Sequence, residues 1–483
     1  MAVAFFLSAV FLALLTTANP QSLARKHAAS SEPSGIVQEA WVARYNGPGN
    51  AVDEAKAIAI DSSGNVYVTG RSNGGPGADF DYATVKYNST GQEQWVARYN
   101  GPENGDDHAV AIAVDNSGNV YVTGTSSTYY ATIRYNSTGQ EQWVVRYGPS
   151  GGSVATALAL DNAGNIYVTG YSPGPDGSPD YTTIKYDPTG QQQWVTRYNG
   201  PAAVAGDYAE AITVDSAGNV YVTGESQGPT SSYDYATIKY DSAGQEQWVA
   251  RYNGPGNATD AAFGIALDTS GNVYVTGLSY GSGSGSDYAT IKYDSAGQQQ
   301  WVARYNGSAN GVDLARAIAI DDSGNIYVTG SSEGSGTSDD YATIKYNSVG
   351  QQQWVARYNG PGNHLDEAYA IAVDGSGNVY VTGGSAGSGG EDYATIKYDS
   401  SGQQQWVIRY NGPGNFFDHA EAIAIDSSGS IYVTGESYGS SETYSDYATI
   451  KYVQVMTPTP TPTPCTGRCA PTPRPRPTPP PRP

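Results

Sequence analysis

The sequence is poor in cysteine, methionine, histidine and phenylalanine, and charged residues make up only 15% of it. Its two cysteines, Cys465 and Cys469, lie near the C-terminus, which excludes disulfides and thiolate metal sites from the rest of the chain. Lysine and arginine number 25 against 46 aspartates and glutamates, so the formal charge is −21. Such a surface repels polyanions and predicts no nucleic-acid partner. Its acidity favours cationic partners or serves solubility alone.

Long apolar runs are also scarce, and the single one covers residues 2–15. It is too short to span a membrane comfortably, and small and polar residues follow it. This pattern predicts a signal peptide at 1–24, cleaved after Ala18 or Ala24, and then a short leader at 25–35. An uncleaved anchor is the alternative. The mature chain is therefore expected to have no transmembrane span and to be secreted or held at the cell surface or envelope.

Glycine and tyrosine are abundant, at 60 and 40 residues, and they belong to an internal repeat. The phrase WVARYNG or a close variant recurs every 48 to 54 residues and contains every tryptophan of the chain. A period of this length is typical of a propeller or a solenoid. The tryptophans are Trp41, Trp95, Trp143, Trp194, Trp248, Trp301, Trp354 and Trp406.

One repeat contains four segments with period-two alternation, separated by turns rich in glycine, serine and asparagine. In the first repeat they are 56–61 (strand A), 65–70 (strand B), 81–88 (strand C) and 93–100 (strand D). This pattern predicts a four-stranded antiparallel blade. In strand A, Ala55, Ala57 and Ala59 are expected on one face, opposite the isoleucines, so that small residues meet large ones between blades.

The chain ends predict that the blades form a closed ring. An isolated strand D at 37–46 precedes the first repeat, and the last repeat stops after strand C at 446–453. The N-terminal strand can therefore complete the last blade and remove the exposed sheet edges. The expected fold is all-β, an eight-bladed propeller over 36–453 that is a monomer, with an open solenoid as the alternative.

The phrases DSSGNVYVTG (61–70) and DYATIKYNSVGQQQWVARYNG (340–360) resemble the SBBP-type β-propeller repeat family of bacterial proteins. This resemblance implies an exported or surface-associated propeller and supplies no shared catalytic motif. The phrase DSAGQQQW (294–301) is similar to the tryptophan-docking repeat of eight-bladed quinoprotein dehydrogenases. That likeness implies a structural role for the eight tryptophans, which would lock neighbouring blades. The vicinal cysteines of those enzymes are missing here, so their catalytic role is not implied.

Differences between the repeats are concentrated in the loops from strand B to strand C and at two positions of strand A. These two positions are expected to surround the mouth of the axial channel, where variation is typical of a specific pocket. Solvent-exposed strand ends under weak constraint are the alternative interpretation. The residues that we single out as candidate ligand-binding positions are Glu54, Lys56, His108, Tyr208, Glu210, Phe263, Arg316, Glu367, Tyr369, His419 and Glu421.

An aspartate recurs at the start of strand A in seven of the eight repeats, and Ser153 replaces it in the third. A ring of carboxylates could hold a hard cation such as calcium. Capping of loop N–H groups by the same side chains is the alternative. The aspartates are Asp53, Asp107, Asp207, Asp260, Asp313, Asp366 and Asp418.

Every repeat also carries a lysine or arginine on strand C and an arginine on strand D. Because they occur in all blades, they are expected to be structural and to pair with aromatic faces or carboxylates. In contrast, the arc formed by Glu367, His419, Glu54 and His108 is a candidate acid–base or transition-metal site.

Residues 454–483 are rich in proline and threonine, with arginines as their only charges. They predict an extended linker or stalk of about 80 Å. Its positive charge is expected to favour anionic cell-wall polymers, and the two cysteines could close a small loop.

These features favour a non-catalytic binding or interaction scaffold whose loop face holds a glycan, peptide or protein. The first alternative is a metal-assisted polysaccharide hydrolase or lyase that uses the channel mouth. The second is a purely structural surface protein. No catalytic residue is assigned from the sequence.

Overall fold

A computed structural model describes residues 36–455, without 76–78, 150, 203–204, 230–231, 388 and 441–443. All regular elements in this part of the chain are β-strands. None of its segments is a helix long and apolar enough to cross a membrane. The predicted signal peptide and leader lie outside the described residues. The predicted stalk, 454–483, also lies outside them except for its first two residues, which belong to the last strand.

The described residues form thirty-two strands, which pair into eight four-stranded antiparallel sheets. The strands A are β2 (Asp53–Ile60), β6 (Asp107–Val114), β10 (Val154–Leu160), β14 (Asp207–Val214), β18 (Asp260–Leu267), β22 (Asp313–Ile320), β26 (Asp366–Val373) and β30 (Asp418–Ile425). The strands B are β3 (Val66–Asn73), β7 (Val120–Ser126), β11 (Ile166–Pro173), β15 (Val220–Gln227), β19 (Val273–Tyr280), β23 (Ile326–Glu333), β27 (Val379–Ala386) and β31 (Ile431–Ser440).

The outer half of each blade consists of strands C and D. The strands C are β4 (Phe80–Tyr87), β8 (Tyr129–Tyr135), β12 (Pro179–Tyr186), β16 (Tyr233–Tyr240), β20 (Ser286–Tyr293), β24 (Asp339–Tyr346), β28 (Glu391–Tyr398) and β32 (Tyr444–Val455). The strands D are β5 (Glu93–Tyr99), β9 (Glu141–Tyr147), β13 (Gln192–Tyr198), β17 (Glu246–Tyr252), β21 (Gln299–Tyr305), β25 (Gln352–Tyr358), β29 (Gln404–Tyr410) and β1 (Ile36–Tyr45).

The eight sheets close into a ring, as predicted. Each strand A contacts the strands A of both neighbouring blades, including β2 with β30, so these strands surround the axis. The eighth sheet has the order β30-β31-β32-β1, and its register runs from Ile36 opposite Val455 to Tyr45 opposite Tyr447. The N-terminal strand therefore completes the last blade.

The two ends of the ring differ in their connections. The D-to-A and B-to-C connections lie at one end, which we call the loop face, because Asp53 pairs with Ser72 and Ser72 with Asp81. The short A-to-B and C-to-D turns lie at the other end, the turn face. Since Ile36 and Val455 pair there, both flanking segments of the chain leave from the turn face.

Strand A differs from the expected alternation because it contains a β-bulge. The pairing of β2 with β3 shifts between Ala55 and Ala57, which leaves Lys56 without a partner in the ladder. Ala55 consequently packs in one inter-blade core with Ile58, while Ala57 and Ala59 pack in the next. The prediction that the three alanines share one face was wrong, since the extra residue of a bulge reverses the alternation.

Buried tyrosines of strand C join every blade to the next. Each hydroxyl donates to a backbone carbonyl of the next strand C, as Tyr82 does to Ala131 O at 3.3 Å. The eighth of these bonds runs from Tyr447 to Ala83 O at 3.1 Å and crosses the point of closure. Hydrogen bonds that satisfy buried polar groups in this way stabilise the inter-blade cores without leaving a desolvated hydroxyl.

Seven of the eight tryptophans form a second set of links at the turn face. The indole of Trp248, for example, donates to Ser295 O at 3.2 Å in the C-to-D turn of the next blade. Its ring packs on Gly297, where a Cβ would lie 2.6 Å from the indole. This geometry supports the structural role expected for the tryptophans.

Trp406 is the exception because the last blade has no C-to-D turn. In the described part of the chain its Nε1 is buried without a hydrogen-bond partner. Gln454 takes part of the turn's place: it accepts from Lys397 Nζ at 2.6 Å and donates to the Tyr380 hydroxyl at 2.8 Å.

Candidate functional site at the inner rim

The variable positions of the repeat come together around the axis at the loop face. The bulge residue of each strand A is the second variable position, and the first variable position lies two residues before it. Because a bulge re-aims its side chain, Lys56 stands partly exposed between two buried alanines. Its counterparts in the other blades are also partly exposed, except Glu421, which is buried. We call three positions of each blade the rim. They are the first and second variable positions of strand A and the strand-B residue that pairs with the first variable position.

A conserved feature of all the blades makes the bulge possible. The backbone of strand A approaches Gly70 so closely that a Cβ at this position would lie 1.9 Å from Glu54 O. The corresponding glycine closes every YVTG phrase of the sequence. A glycine repeated inside a strand is typical of a bulge or a close backbone approach, so this signal could have predicted the irregularity.

Sequence reasoning missed the third rim position, which follows this glycine on strand B. It lies directly opposite the first variable position, as Arg71 does opposite Glu54. Its identity differs between blades just as strongly, which is the signal that was available. The residues are Arg71, Thr125, Tyr171, Glu225, Leu278, Ser331, Gly384 and Glu436.

One half of the rim is charged and internally paired in the first and eighth blades. Lys56 Nζ lies 2.7 Å from Glu421 Oε1 and 3.3 Å from Glu54 Oε2, and Arg71 donates to Glu54. Burial raises the pKa of Glu54, but Lys56 and Arg71 outweigh burial and keep it below its ordinary value. At Glu436 the nearby cations do not outweigh burial. Burial, followed by the charge of Glu54, raises its pKa to about 7.

The charged half continues through the sixth and seventh blades. Arg316 lies 3.3 Å from Glu367 Oε2 and its guanidinium stacks on the Tyr369 ring at 4.5 Å. The Tyr369 hydroxyl donates to Glu367. The same ring meets His419 edge-on at 4.4 Å. A cation, a phenol and an imidazole are therefore in contact across three blades.

The two histidines of the predicted acid–base arc have different surroundings. His419 Nδ1 lies 3.1 Å from Glu391 Oε1, and although burial lowers its pKa, Glu391 raises it to about 9. His108 packs edge-on against Phe80 at 5.9 Å, and burial lowers its pKa. His419 is thus held as a cation and His108 as a neutral ring. The third histidine outside the leader, His364, lies on the D-to-A loop before Asp366.

The other half of the rim, in the third to fifth blades, is aromatic and apolar. Tyr171 meets Tyr208 edge-on at 4.8 Å, and Tyr208 lies 6.0 Å from Tyr233. Phe263 stands at the bulge of the fifth blade and is partly buried. The residues between and beside them are Val154, Thr156, Ala261, Leu278 and Leu314.

Two carboxyl groups lie in this aromatic half. Burial raises the pKa of Glu225 to about 7, and burial together with the charge of Glu225 raises the pKa of Glu210 well above its ordinary value. Neither forms an ion pair with a cation among the described residues, unlike Glu54, Glu367 and Glu421 of the charged half.

The predicted aspartate ring lies just outside the rim and is buried. Each aspartate accepts a hydrogen bond from the glycine N–H of its own D-to-A loop, as Asp53 does from Gly47 at 2.7 Å. Burial raises the pKa of Asp53 to about 6. In residues 36–455, as far as described, no three His, Cys, Asp or Glu side chains are grouped in a way that could hold a metal ion. Calcium binding stays a prediction.

The recurring basic residues are structural, as expected. Seven of the eight strand-D arginines pair with an aspartate at the start of strand C, for instance Arg304 Nη2 with Asp287 Oδ2 at 2.7 Å, and Arg146 pairs with Glu103 instead. The strand-C lysines lie over tyrosine rings, as Lys292 does over Tyr274 at 5.1 Å. Both sets occupy the blades outside the rim.

Fold and rim define an eight-bladed β-propeller whose central loop-face positions differ from blade to blade. A family model for the SBBP beta-propeller repeat matches residues 40–78, 94–129, 142–175, 193–229, 247–283, 300–336 and 353–391. The chain belongs to this family.

Known proteins share parts of this architecture. The regulatory protein FlaEY of Caulobacter vibrioides is 32% identical over 145 residues, which cover 25% of this chain but only 15% of FlaEY. The Chaetomium thermophilum Sqt1 structure, bound to the N-terminus of ribosomal protein L10, matches with a TM-score of 0.55 and 10% identity, over 88% of this chain and all of that one. A PL25 ulvan lyase structure matches with a TM-score of 0.42 and 14% identity, over 71% and 91%. The likeness to Sqt1 concerns the fold alone.

Proposed function

We propose that this propeller is a non-catalytic binding module that holds a glycan, peptide or protein ligand at the rim. The observation that carries the proposal is the location of the differences between blades. Residues that build the blade are repeated eight times, whereas the three rim positions change in charge, size and aromaticity. Positions whose residue changes between blades are not needed for the common fold, and most of these residues are partly exposed around one axis.

The chemistry of the rim supports a polar ligand of some size. One half offers charged hydrogen-bonding groups, and the other offers tyrosine rings that can stack on apolar faces. The loop tips add exposed aromatic surface nearby, since Phe416 and Phe417 are 49% and 51% exposed and pack on each other at 4.5 Å.

We further propose that the module acts outside the cell, with residues 1–24 as its export signal and 454–483 as a stalk that contacts anionic wall polymers. Both flanking segments leave from the turn face. A tether there leaves the loop face free to meet a partner.

Arrays of glycans and peptides, probed with the full mature chain, test the binding function. One variant, Tyr208→Ala with Tyr369→Ala, removes a ring from each half of the rim. The control Tyr280→Ala removes a tyrosine that is 40% exposed at a loop tip of the same face. We expect a ligand signal that the rim variant loses and the control keeps. Loss in the control alone would place binding at the loop tips, and a blank array would favour a purely structural surface protein.

A polysaccharide lyase or hydrolase is the second candidate function, favoured by the contact of Arg316, Tyr369 and His419. In an elimination, Arg316 would neutralise the uronate, the Tyr369 phenol would take the substrate proton as it passes its own to Glu367, and protonated His419 would give a proton to the leaving oxygen. Anionic polysaccharides incubated with the chain would then be cut, by a lyase to unsaturated products that absorb in the ultraviolet or by a hydrolase to saturated products with new reducing ends, and Tyr369→Phe would abolish the cleavage. Intact substrate in the presence of the wild-type chain would exclude this function.

A further inference from the structure

We propose that the aromatic half of the rim is a binding pocket for an organic ammonium group, formed by Tyr171, Tyr208, Tyr233, Glu210 and Glu225. The inference rests on the proposed binding function and names the chemical class of one part of the ligand. The charged half of the same rim serves as the internal comparison.

The tyrosine rings provide the walls of this pocket. Tyr208 contacts Tyr171 of the preceding blade at 4.8 Å and Tyr233 of its own blade at 6.0 Å. The interplanar angles are 81° and 54°, so the rings present faces in different directions rather than forming a stack. Rings set at an angle to each other are how proteins surround alkylammonium groups, because each face carries partial negative charge.

The two glutamates provide the charge for a bound cation. Glu225 lies directly opposite Tyr208 on the neighbouring strand, and Glu210 is the bulge residue two positions after Tyr208. Each is partly buried. Glu210 is also close enough to Tyr171 that its charge adds to burial in raising the pKa of that phenol to about 12.

The charged half shows what these glutamates lack. There Glu54, Glu367 and Glu421 each have a lysine or arginine of the chain as a partner. Among the described residues, no lysine, arginine or histidine forms an ion pair with Glu210 or Glu225, and burial is the main cause of their raised pKa values. Two partly buried acids without a cation are costly when ionised, and a ligand cation would supply the missing charge.

Because no cation of the chain pairs with these two glutamates, the affinity for an ammonium ligand should depend on pH. The titratable groups around Glu225 are Glu210, Asp207 and the tyrosines, and the phenols stay neutral at ordinary pH. Because the pKa of Glu225 is about 7 without ligand, a cation that stabilises the carboxylate must displace a proton. Affinity therefore rises as the pH increases through about 7 and falls below it.

Calorimetric titration of the full mature chain with choline tests the pocket, with 3,3-dimethyl-1-butanol as the uncharged isostere. We expect choline to bind, the isostere to bind at least about tenfold more weakly, and choline affinity to be higher at about pH 8 than at about pH 6. Titration in two buffers of different ionisation enthalpy should reveal proton release. The double variant Glu210→Gln, Glu225→Gln should lose about tenfold in affinity and the pH dependence.

Glu246→Gln is the matched control, since it removes the same charge from an exposed site on the outer strand of the same blade. It should bind choline like the wild type. Equal binding of choline and its isostere, no choline binding, or unchanged binding by the double glutamine variant would overturn the ammonium pocket. An array ligand lost by the Tyr208/Tyr369 variant would in that case still support the binding function, so the two proposals fail separately.

Discussion

Gly70 shows how a single residue type makes the rim possible. The bulge brings the backbone of Glu54 against the α-carbon of Gly70, and any side chain at position 70 would collide with the carbonyl oxygen of Glu54. The same glycine recurs in each blade, while the residues around it vary. The common blade thus provides a fixed irregularity on which different side chains can be placed.

Gly70→Ala should destabilise the first blade and with it the ring. The added Cβ would lie 1.9 Å from Glu54 O, so the bulge must shift, at a cost of about 2–3 kcal/mol in the free energy of unfolding. Urea unfolding measures the change. Gly375→Ala is the control, because a Cβ at that turn position meets no atom within 4 Å. Equal stability of the two variants would contradict the close approach.

Glu225→Gln should stabilise the protein at alkaline pH only. Burial raises the pKa of Glu225 from 4.5 to about 7, so the folded state binds this proton more tightly than the unfolded state. The resulting penalty is absent below about pH 4, grows as the pH rises to about 7 and is constant above it. Thermal unfolding at about pH 8 should show a gain of roughly 1–3 kcal/mol, and none at about pH 4. A gain at both values would point to a cause other than ionisation.

At the scale of the strand, the sequence predicted the four strands of each blade and their order but not the register of strand A. Alternation of apolar residues places strands reliably, since side chains point to opposite faces in turn. A bulge adds one residue without changing composition, so Ala55 was placed on the wrong face. The third rim position was missed for a related reason: Arg71 and its counterparts are near Lys56 only in the folded pairing.

The inter-blade links permit a comparison of two tryptophans, Trp248 with a turn of the next blade beside its indole and Trp406 without one. Trp248→Phe removes an indole N–H that donates to Ser295 O, whereas Trp406→Phe removes one that is buried without a partner in the described part of the chain. The Trp248 variant should lose about 1 kcal/mol more in the free energy of unfolding than the Trp406 variant. Chemical denaturation measures both. An equal loss would show that the hydrogen bond from Trp248 to Ser295 O adds nothing measurable to the stability of the link.

At the scale of the whole molecule, closure depends on one non-covalent strand pair. The offset between the first strand D and the last strand C allowed this closure to be predicted by counting. The ligand could not be predicted in the same way, because the rim combines side chains from all eight blades and their mutual contacts appear only in the ring. Glu391 beside His419 and Phe80 beside His108 are examples: both lie in the variable B-to-C segments, but the sequence does not show which strand-A residue each one meets.

Removal of residues 1–46 should open the ring at the eighth blade. Without β1, the edge of β32 is exposed and can pair with other chains. We expect a lower melting temperature and concentration-dependent association, measured by calorimetry and light scattering. A synthetic peptide of residues 36–46 should restore the monomer, and a scrambled peptide should not. A monomer of unchanged stability after the deletion would show that closure by β1 is unnecessary.

The position of Ile36 and Val455 on the turn face also determines how the propeller responds to force. Ile36 and Val455 are paired neighbours, so tension applied to the two flanking segments acts across the ladder between β1 and β32 and not along it. Hydrogen bonds loaded in this direction break one after another, and the ring opens at low force. Tension on the C-terminal segment alone, with the ligand held at the opposite face, does not pull β1 and β32 apart by their paired ends. The propeller would bear load well between ligand and stalk, and poorly between its own two ends.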